Sequence, residues 1–124
     1  MNQEDLLVNV AETLTFKQYE ELSAKTAIYP EVGTGSLRAV EYCALGLAGE
    51  AGEVAGKVKK LMRDGDSPEK RMKIIAELGD TLWYIPQLLR ELAKAPFGEC
   101  ALANIFKLAG RQERGTLHGD GDDR

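Results

Sequence analysis

The sequence predicts an all-α protein. No segment of the 124 residues alternates apolar and polar side chains over several positions, as a half-buried strand would. Apolar residues instead recur every three or four positions along most of the chain, which is the spacing of amphipathic helices. We therefore expect one domain, residues 1–124, built as a four-helix antiparallel bundle whose ends, 1–14 and 115–124, are flexible.

The first two predicted helices are separated by a loop that contains Tyr29-Pro30. The first covers Thr15–Ala27, and proline ends it. The second begins after Ser36, a favourable N-cap, and ends at Asp64-Gly65. It carries a narrow apolar stripe of the kind used between neighbouring helices. The stripe comprises Val40, Ala44, Leu47, Ala51, Val54, Val58 and Leu61.

The third and fourth predicted helices follow a strong start signal, Ser67 as the cap and Pro68 at the first helical position. The third helix runs to about Ala95, and Pro86 inside it is expected to kink it. Its expected inner face comprises Ile75, Leu78, Leu82, Ile85, Leu89 and Leu92. A short fourth helix carries Leu102, Ile105, Phe106 and Leu108. The Gly- and Asp-rich end of the chain is not expected to be helical.

Composition excludes several classes of function. A net charge of −4 argues against a protein that binds nucleic-acid polymers or membrane surfaces. No apolar run approaches the roughly 20 residues that span a bilayer. Cys43 and Cys100 lie far apart and lack metal-ligand spacing, which fits a reducing cytoplasm. We expect a cytoplasmic protein.

Two pairs of carboxylates stand out on the second and third helices. Glu50 and Glu53 are one turn apart, and so are Glu77 and Asp80. Because two helices joined by a short turn pack antiparallel, the four acids are expected to converge at one edge of the shared core. Their repulsion would be relieved by a hard divalent cation, of which Mg²⁺ is the usual one. Four glycines nearby would leave room for the metal and a phosphate chain; they are Gly46, Gly49, Gly52 and Gly56.

A simpler interpretation of the acids remains open. Pairs of acids three residues apart are common on solvated helix faces, and Glu53 with Lys57 would form an ordinary i,i+4 ion pair. The acids would then be solvated surface residues of a non-catalytic helical dimerisation or regulatory module. A di-iron carboxylate bundle is excluded, because it needs Glu-x-x-His motifs and the only histidine is His118.

The two acid motifs resemble those of the MazG-like branch of the all-α NTP pyrophosphohydrolases. That family is marked by ExxE on one helix and ExxD on the next, here Glu50 with Glu53 and Glu77 with Asp80. The resemblance extends over four segments of the chain. They are Phe16–Pro30, Leu45–Lys60, Glu77–Tyr84 and Asn104–Arg124.

The resemblance implies an enzyme that cleaves a nucleoside triphosphate between the α and β phosphates, giving a nucleoside monophosphate and pyrophosphate. It implies that the four acids bind Mg²⁺, or Mn²⁺ in its place, and that Glu50 or Glu53 activates the attacking water. The expected substrate-binding residues are Asn104, Lys107, Arg111, Arg114 and Tyr84.

Other members of the same superfamily share the acid motifs, so two further activities remain open. They are those of a phosphoribosyl-ATP pyrophosphohydrolase and of a dUTPase-like enzyme. The family builds its site from dimers or tetramers, so the resemblance also implies a homodimer or homotetramer in which a second chain helps to line the base pocket.

Overall fold

The computed structural model describes residues 3–124, and that part of the chain contains five α-helices and no strand. The helices are α1 (Gln3–Thr13), α2 (Phe16–Ala24), α3 (Leu37–Asp64), α4 (Pro68–Ala93) and α5 (Phe97–Glu113). The all-α prediction is confirmed, whereas the count of four helices is too low by one. The additional helix is α1, in a segment for which the sequence predicted none.

Helix α1 lacks the pattern that revealed the others. Among its exposed apolar side chains, Leu7 and Val10 lie about 60° apart around the helix axis, but Val8 lies about 160° from Val10. The apolar side chains are therefore spread over a wide arc of a short helix, which gives periodicity little to detect.

The helix starts and stops follow the local signals closely. Thr15 and Gln18 form a capping box at the start of α2, with each side chain bonded to the other's backbone N–H. Ser36 caps α3 by accepting from the Ala39 amide at 3.2 Å, as predicted. Ser67 caps α4 in the same way, with Pro68 at its first turn. Helix α3 ends at Asp64, and Gly65 follows as its C-cap with a φ of 105°, a value that favours glycine.

Helices α3 and α4 form a long antiparallel hairpin that is the centre of the fold. The small side chains Ala39 and Cys43 of α3 are fully buried, and with Tyr29 they form the core against which Trp83 and Tyr84 of α4 pack. Small residues let the two backbones approach closely. At the end of the hairpin away from its turn, α3 therefore packs on the side of α4 that carries Trp83 and Tyr84.

Helices α2 and α5 pack on the hairpin from the outside. The Gln87 amide of α4 is completely buried and donates to the Ser23 hydroxyl of α2 at 2.9 Å. Helix α5 is anchored at its start, where Phe97 packs edge-on against Phe16 with ring centroids 4.7 Å apart. The Phe97 amide also donates to the Glu20 carboxylate at 2.9 Å.

The prediction for the inner face of α4 is only partly met. Ile85 and Leu89 are half-buried. Ile75, Leu78 and Leu82 are instead 56%, 51% and 39% exposed, and Leu92 is also exposed. The reason is that α3 packs on the opposite side of α4, which carries Tyr84 about 180° around the helix from Ile75. We call Met72, Ile75, Leu78 and Leu82 the apolar stripe of α4. Within the described residues this stripe is largely uncovered.

The remaining boundaries differ slightly from the prediction. Helix α2 ends at Ala24 rather than Ala27, and α4 ends at Ala93 because Lys94 adopts a left-handed conformation with φ of 50°. Helix α4 continues through the buried Pro86. In residues 3–124, none of the helices has the length and apolar character needed to span a bilayer.

Candidate active site

Three of the four predicted acids converge between the two long helices. Glu50 of α3 and Glu77 and Asp80 of α4 each offer a carboxylate oxygen, and these oxygens lie within 4.8 Å of one another. The antiparallel hairpin places Glu50 opposite the ExxD motif, as the sequence predicted. We call these three residues the carboxylate cluster.

The fourth acid, Glu53, is exposed and stands outside this cluster. It follows Glu50 by three residues, so it lies about 60° around α3 and about 4.5 Å further along the axis. Its charge is still felt at the cluster, because it contributes to raising the pKa of Glu50. Glu53 therefore lies beside the carboxylate cluster but is not one of its members.

A lysine borders the cluster on the side of the hairpin turn. The Lys57 Nζ lies 3.5 Å from Glu77 Oε1, and both side chains are partly shielded from water. The sequence suggested a Glu53–Lys57 pair along α3, but the ion pair found here joins α3 to α4. Lys57 follows Glu50 by seven residues, about two turns, and so occupies the same face of α3.

The cluster is electrostatically unfavourable without a cation. Partial burial raises the pKa of Glu50, and the negative charges of Asp80 and Glu77 raise it further. Lys57 supplies one positive charge at Glu77. A divalent cation would neutralise the remaining repulsion, and carboxylate oxygens are the ligands that Mg²⁺ prefers. The donor set and its spacing therefore fit Mg²⁺.

The raised pKa of Glu50 predicts a pH-dependent difference in stability between wild type and Glu50→Gln. The folded state holds the Glu50 proton more tightly than the unfolded state, so wild type loses stability as pH rises from the ordinary carboxyl pKa of 4.5 through the raised pKa of folded Glu50. In the presence of a chelator, Glu50→Gln is expected to melt higher than wild type at about pH 8, and the difference is expected to vanish at about pH 4. Equal melting temperatures at both pH values would contradict the strained cluster.

An aromatic cavity opens beside the carboxylate cluster, on the side away from the hairpin turn. It has a volume of about 330 Å³ and is lined by Thr26, Glu50, Asp80, Trp83 and Tyr84. The Trp83 indole N–H donates to the Thr26 hydroxyl at 2.8 Å and the Ser23 carbonyl at 3.2 Å. These bonds hold the end of α2 over the cavity, and the Trp83 and Tyr84 rings meet edge to face.

The structure explains why one position of the second predicted helix, Gly46, must be glycine. A Cβ on Gly46 would lie 2.2 Å from the Tyr84 ring, so only glycine lets Tyr84 lie against α3 beside the acids. Gly49, Gly52 and Gly56 face open space among the described residues. Gly46 thus makes room for the Tyr84 ring rather than for a ligand, and the expectation that the other three glycines leave space for a metal and a phosphate chain stays a prediction.

The basic residues near the end of the chain lie apart from the acids within one copy. Helix α5 approaches α2 and α4 but not α3, considering residues 3–124. Arg111 is buried and donates to the Asp122 carbonyl at 2.6 Å, and Arg114 donates to the Arg124 carbonyl at 2.9 Å. The two arginines thus hold the folded-back tail. Asn104 and Lys107 are exposed on α5.

Three residues at the site were missed by the sequence analysis or given another role. Lys57 had a detectable signal, since it shares the face of Glu50. Trp83 was not among the predicted site residues, and it both anchors α2 and lines the cavity. Thr26 lies beyond the end of α2 and has no periodic pattern that could have placed it.

Comparison with known proteins identifies relatives of the chain. Residues 38–115 match the family model described as the MazG nucleotide pyrophosphohydrolase domain. The chain is also similar to the Gene 37 protein of Mycobacterium phage L5, at 42% identity over 110 residues, which covers 86% of this chain and 96% of that protein. No solved structure was found to match. The matched range includes α4 and nearly all of α3, the helices that bear the carboxylate cluster.

Proposed function

Because the chain belongs to the MazG nucleotide pyrophosphohydrolase family, we propose that it is a Mg²⁺-dependent enzyme that hydrolyses nucleoside triphosphates. The bond cleaved is the one between the α and β phosphates, and the products are a nucleoside monophosphate and pyrophosphate. The observation that carries this proposal is the carboxylate cluster, whose three acids come from the two family motifs and meet within 4.8 Å.

The roles of the acids follow from their positions. Glu50, Glu77 and Asp80 would hold Mg²⁺ at the mouth of the aromatic cavity. When bound, the ion neutralises the phosphate oxygens and makes the α-phosphorus more electrophilic. Glu53 stands outside the cluster, so its carboxylate is available to orient a water molecule and take its proton. Attack at the α-phosphorus forms the new P–O bond, and the bond to the bridging oxygen breaks to release pyrophosphate.

The aromatic cavity supports a place for the nucleoside. Trp83 and Tyr84 offer ring faces and edges next to Glu50 and Asp80, and a base packs favourably on aromatic side chains. Tyr19 of α2 is also near. Burial is the main cause that raises the pKa of Tyr19, and the negative charge of Asp80 raises it further, which places Asp80 within electrostatic reach of Tyr19. The nucleoside would occupy this cavity while the phosphates lie across the carboxylate cluster.

We also propose that the active form is a homodimer or homotetramer. The apolar stripe of α4 is largely exposed, and on α5 Ile105 and Phe106 are 60% and 66% exposed. Single chains rarely leave contiguous apolar patches of this kind uncovered, so a second copy is the expected cover. Asn104 and Lys107 lie apart from the carboxylate cluster of their own copy. In such an assembly, α5 of one copy would bring these two residues to the phosphates bound at the cluster of a neighbouring copy.

Replacing Leu78 by aspartate is expected to break the assembly. The charge would lie in the middle of the apolar stripe of α4, where it would lose its hydration in an interface. Size-exclusion chromatography with light scattering should show a shift from an oligomer to a monomer. The matched control is Glu69→Asp on the exposed first turn of the same helix. An unchanged mass for Leu78→Asp would contradict this interface.

The experiment that tests the activity is a panel of canonical and modified ribo- and deoxyribonucleoside triphosphates assayed for pyrophosphate with Mg²⁺. Wild type should release pyrophosphate, and Glu53→Gln should be much slower. Preference for dUTP or for phosphoribosyl-ATP would assign one of the two alternative activities within the superfamily. Release of no pyrophosphate from any nucleotide, with Mg²⁺ leaving the melting temperature unchanged, would favour a non-catalytic dimerisation module.

A further inference from the structure

A second cavity lies on the other side of the carboxylate cluster, at the turn of the α3–α4 hairpin. It has a volume of about 230 Å³. Its lining comprises Lys57, Lys60, Leu61, Asp64, Lys70 and Lys73. Four of these six residues are lysines, in a chain whose net charge is −4. We call it the lysine cavity.

The lysines of this cavity share one groove with the acids. On α3, Lys57 and Lys60 lie within about 80° of Glu50 around the axis. On α4, Lys70 and Lys73 lie within about 40° of Glu77. Lys57 bridges the two sites, because its Nζ reaches Glu77 while its side chain also lines the cavity.

Only some of these positive charges are used by the fold. The Lys70 Nζ donates to the Gly65 carbonyl at 2.7 Å and so stabilises the end of α3. The single acid of the lining, Asp64, accepts two bonds of 2.7 Å from the Arg63 guanidinium, which are the main cause that lowers the pKa of its carboxyl group. The charges of Lys70 and Lys60 lower this pKa less. Among the described residues, Lys73 forms no hydrogen bond or ion pair.

The lysines of α4 stand near the start of the helix. Lys70 lies in the first turn of α4, where the helix dipole is positive and favours negative charge. Lys73 follows it by three residues and lies on the same side of α4, and Lys57 and Lys60 of α3 line the same cavity. A ligand with several negative charges would satisfy both groups of lysines at once.

We infer that the lysine cavity binds the β- and γ-phosphates of the substrate and holds them as pyrophosphate after cleavage. The inference rests on the proposed function for the identity of the anion. It fixes the direction of the nucleotide along the hairpin: the nucleoside lies in the aromatic cavity, the α-phosphate at the carboxylate cluster, and the leaving group at the turn. Lys57 would then exchange its contact with Glu77 for a phosphate oxygen when the cation takes its place at the acids.

The test is equilibrium dialysis of radiolabelled pyrophosphate with Mg²⁺, which needs no hydrolysis. The variant is Lys60→Gln with Lys73→Gln, and the charge-matched control is Lys17→Gln with Lys59→Gln. Lys59 lies on the opposite side of α3 from Glu50, and Lys17 is exposed on α2. The variant is expected to bind pyrophosphate about tenfold more weakly than wild type, since two charge-assisted contacts are lost. The control should bind as wild type does.

The outcomes separate the two proposals. Equal pyrophosphate affinity in the variant and wild type would overturn the lysine cavity as the leaving-group site, even if nucleotides are hydrolysed. Competition by inorganic phosphate as effective as that by pyrophosphate would also overturn it, by indicating a general anion site. Lysine-dependent pyrophosphate binding without hydrolysis of any nucleotide would support the cavity and refute the proposed activity. Circular dichroism of each variant confirms that it is folded.

Discussion

Replacing Glu77 by glutamine is expected to reduce pyrophosphate release by about a thousandfold. Glu77 lies at the centre of the site, because it belongs to the carboxylate cluster and also receives the Lys57 ion pair. Glutamine keeps the size of the side chain but removes the charge that a divalent cation needs. The measurement is the steady-state rate with saturating Mg²⁺ and nucleoside triphosphate.

The matched control for this variant is Glu69→Gln, which removes one exposed carboxylate from the same helix outside the cluster. Its rate should equal that of wild type. The two variants should also differ in the response of the melting temperature to Mg²⁺, which should rise in Glu69→Gln and stay constant in Glu77→Gln. A Glu77→Gln variant that retains wild-type activity would refute the role of the cluster.

Gly46→Ala is expected to destabilise the protein by about 2 kcal/mol. Alanine at a helical position normally gains about 1 kcal/mol over glycine. Here the new Cβ would meet three atoms of the Tyr84 ring, at 2.2, 2.4 and 2.8 Å. The ring cannot withdraw freely, because its edge-to-face contact with Trp83 holds it in the cavity wall. Chemical denaturation measures the change in the free energy of unfolding.

Gly49→Ala is the matched control, one turn away on the same helix. A Cβ there meets nothing within 4 Å, so the variant should gain about 0.5–1 kcal/mol from helix propensity alone. The two substitutions are chemically identical and are expected to have opposite signs. Stabilisation by both would mean that Tyr84 does not occupy the position described here.

The parts of the fold that sequence predicts well are those decided by neighbouring residues. Ser36 and Ser67 cap α3 and α4 because a hydroxyl oxygen can satisfy a free amide three residues later. Gly65 ends α3 because the turn needs a positive φ. The meeting of Glu50 with the ExxD motif follows equally from local facts, namely helix periodicity and a short connection.

Local sequence signals could not predict which side of α4 packs against α3. Periodicity shows that Ile75, Leu78 and Leu82 share a face, but it does not show what that face packs against. Within the chain α3 packs instead on the side of Tyr84, where Gly46 allows close approach. That choice depends on the shapes of two surfaces that are distant in sequence.

The cationic side of the site shows the same limit. The family resemblance implied that Lys107, Arg111 and Arg114 bind the substrate. The structure shows that Arg111 and Arg114 hold the tail, while lysines at the hairpin turn lie nearer to the acids. Spacing along one helix cannot reveal how far that helix lies from another.

The most direct test of the proposed activity is ³¹P NMR of a nucleoside triphosphate incubated with the protein and Mg²⁺, followed by the same reaction with a chelator. The proposal predicts that resonances of a nucleoside monophosphate and pyrophosphate appear together, and only when Mg²⁺ is present. Resonances of a nucleoside diphosphate and inorganic phosphate would show that another bond is cleaved. That result, or a spectrum that does not change with time, would contradict a pyrophosphohydrolase centred on Glu50, Glu77 and Asp80.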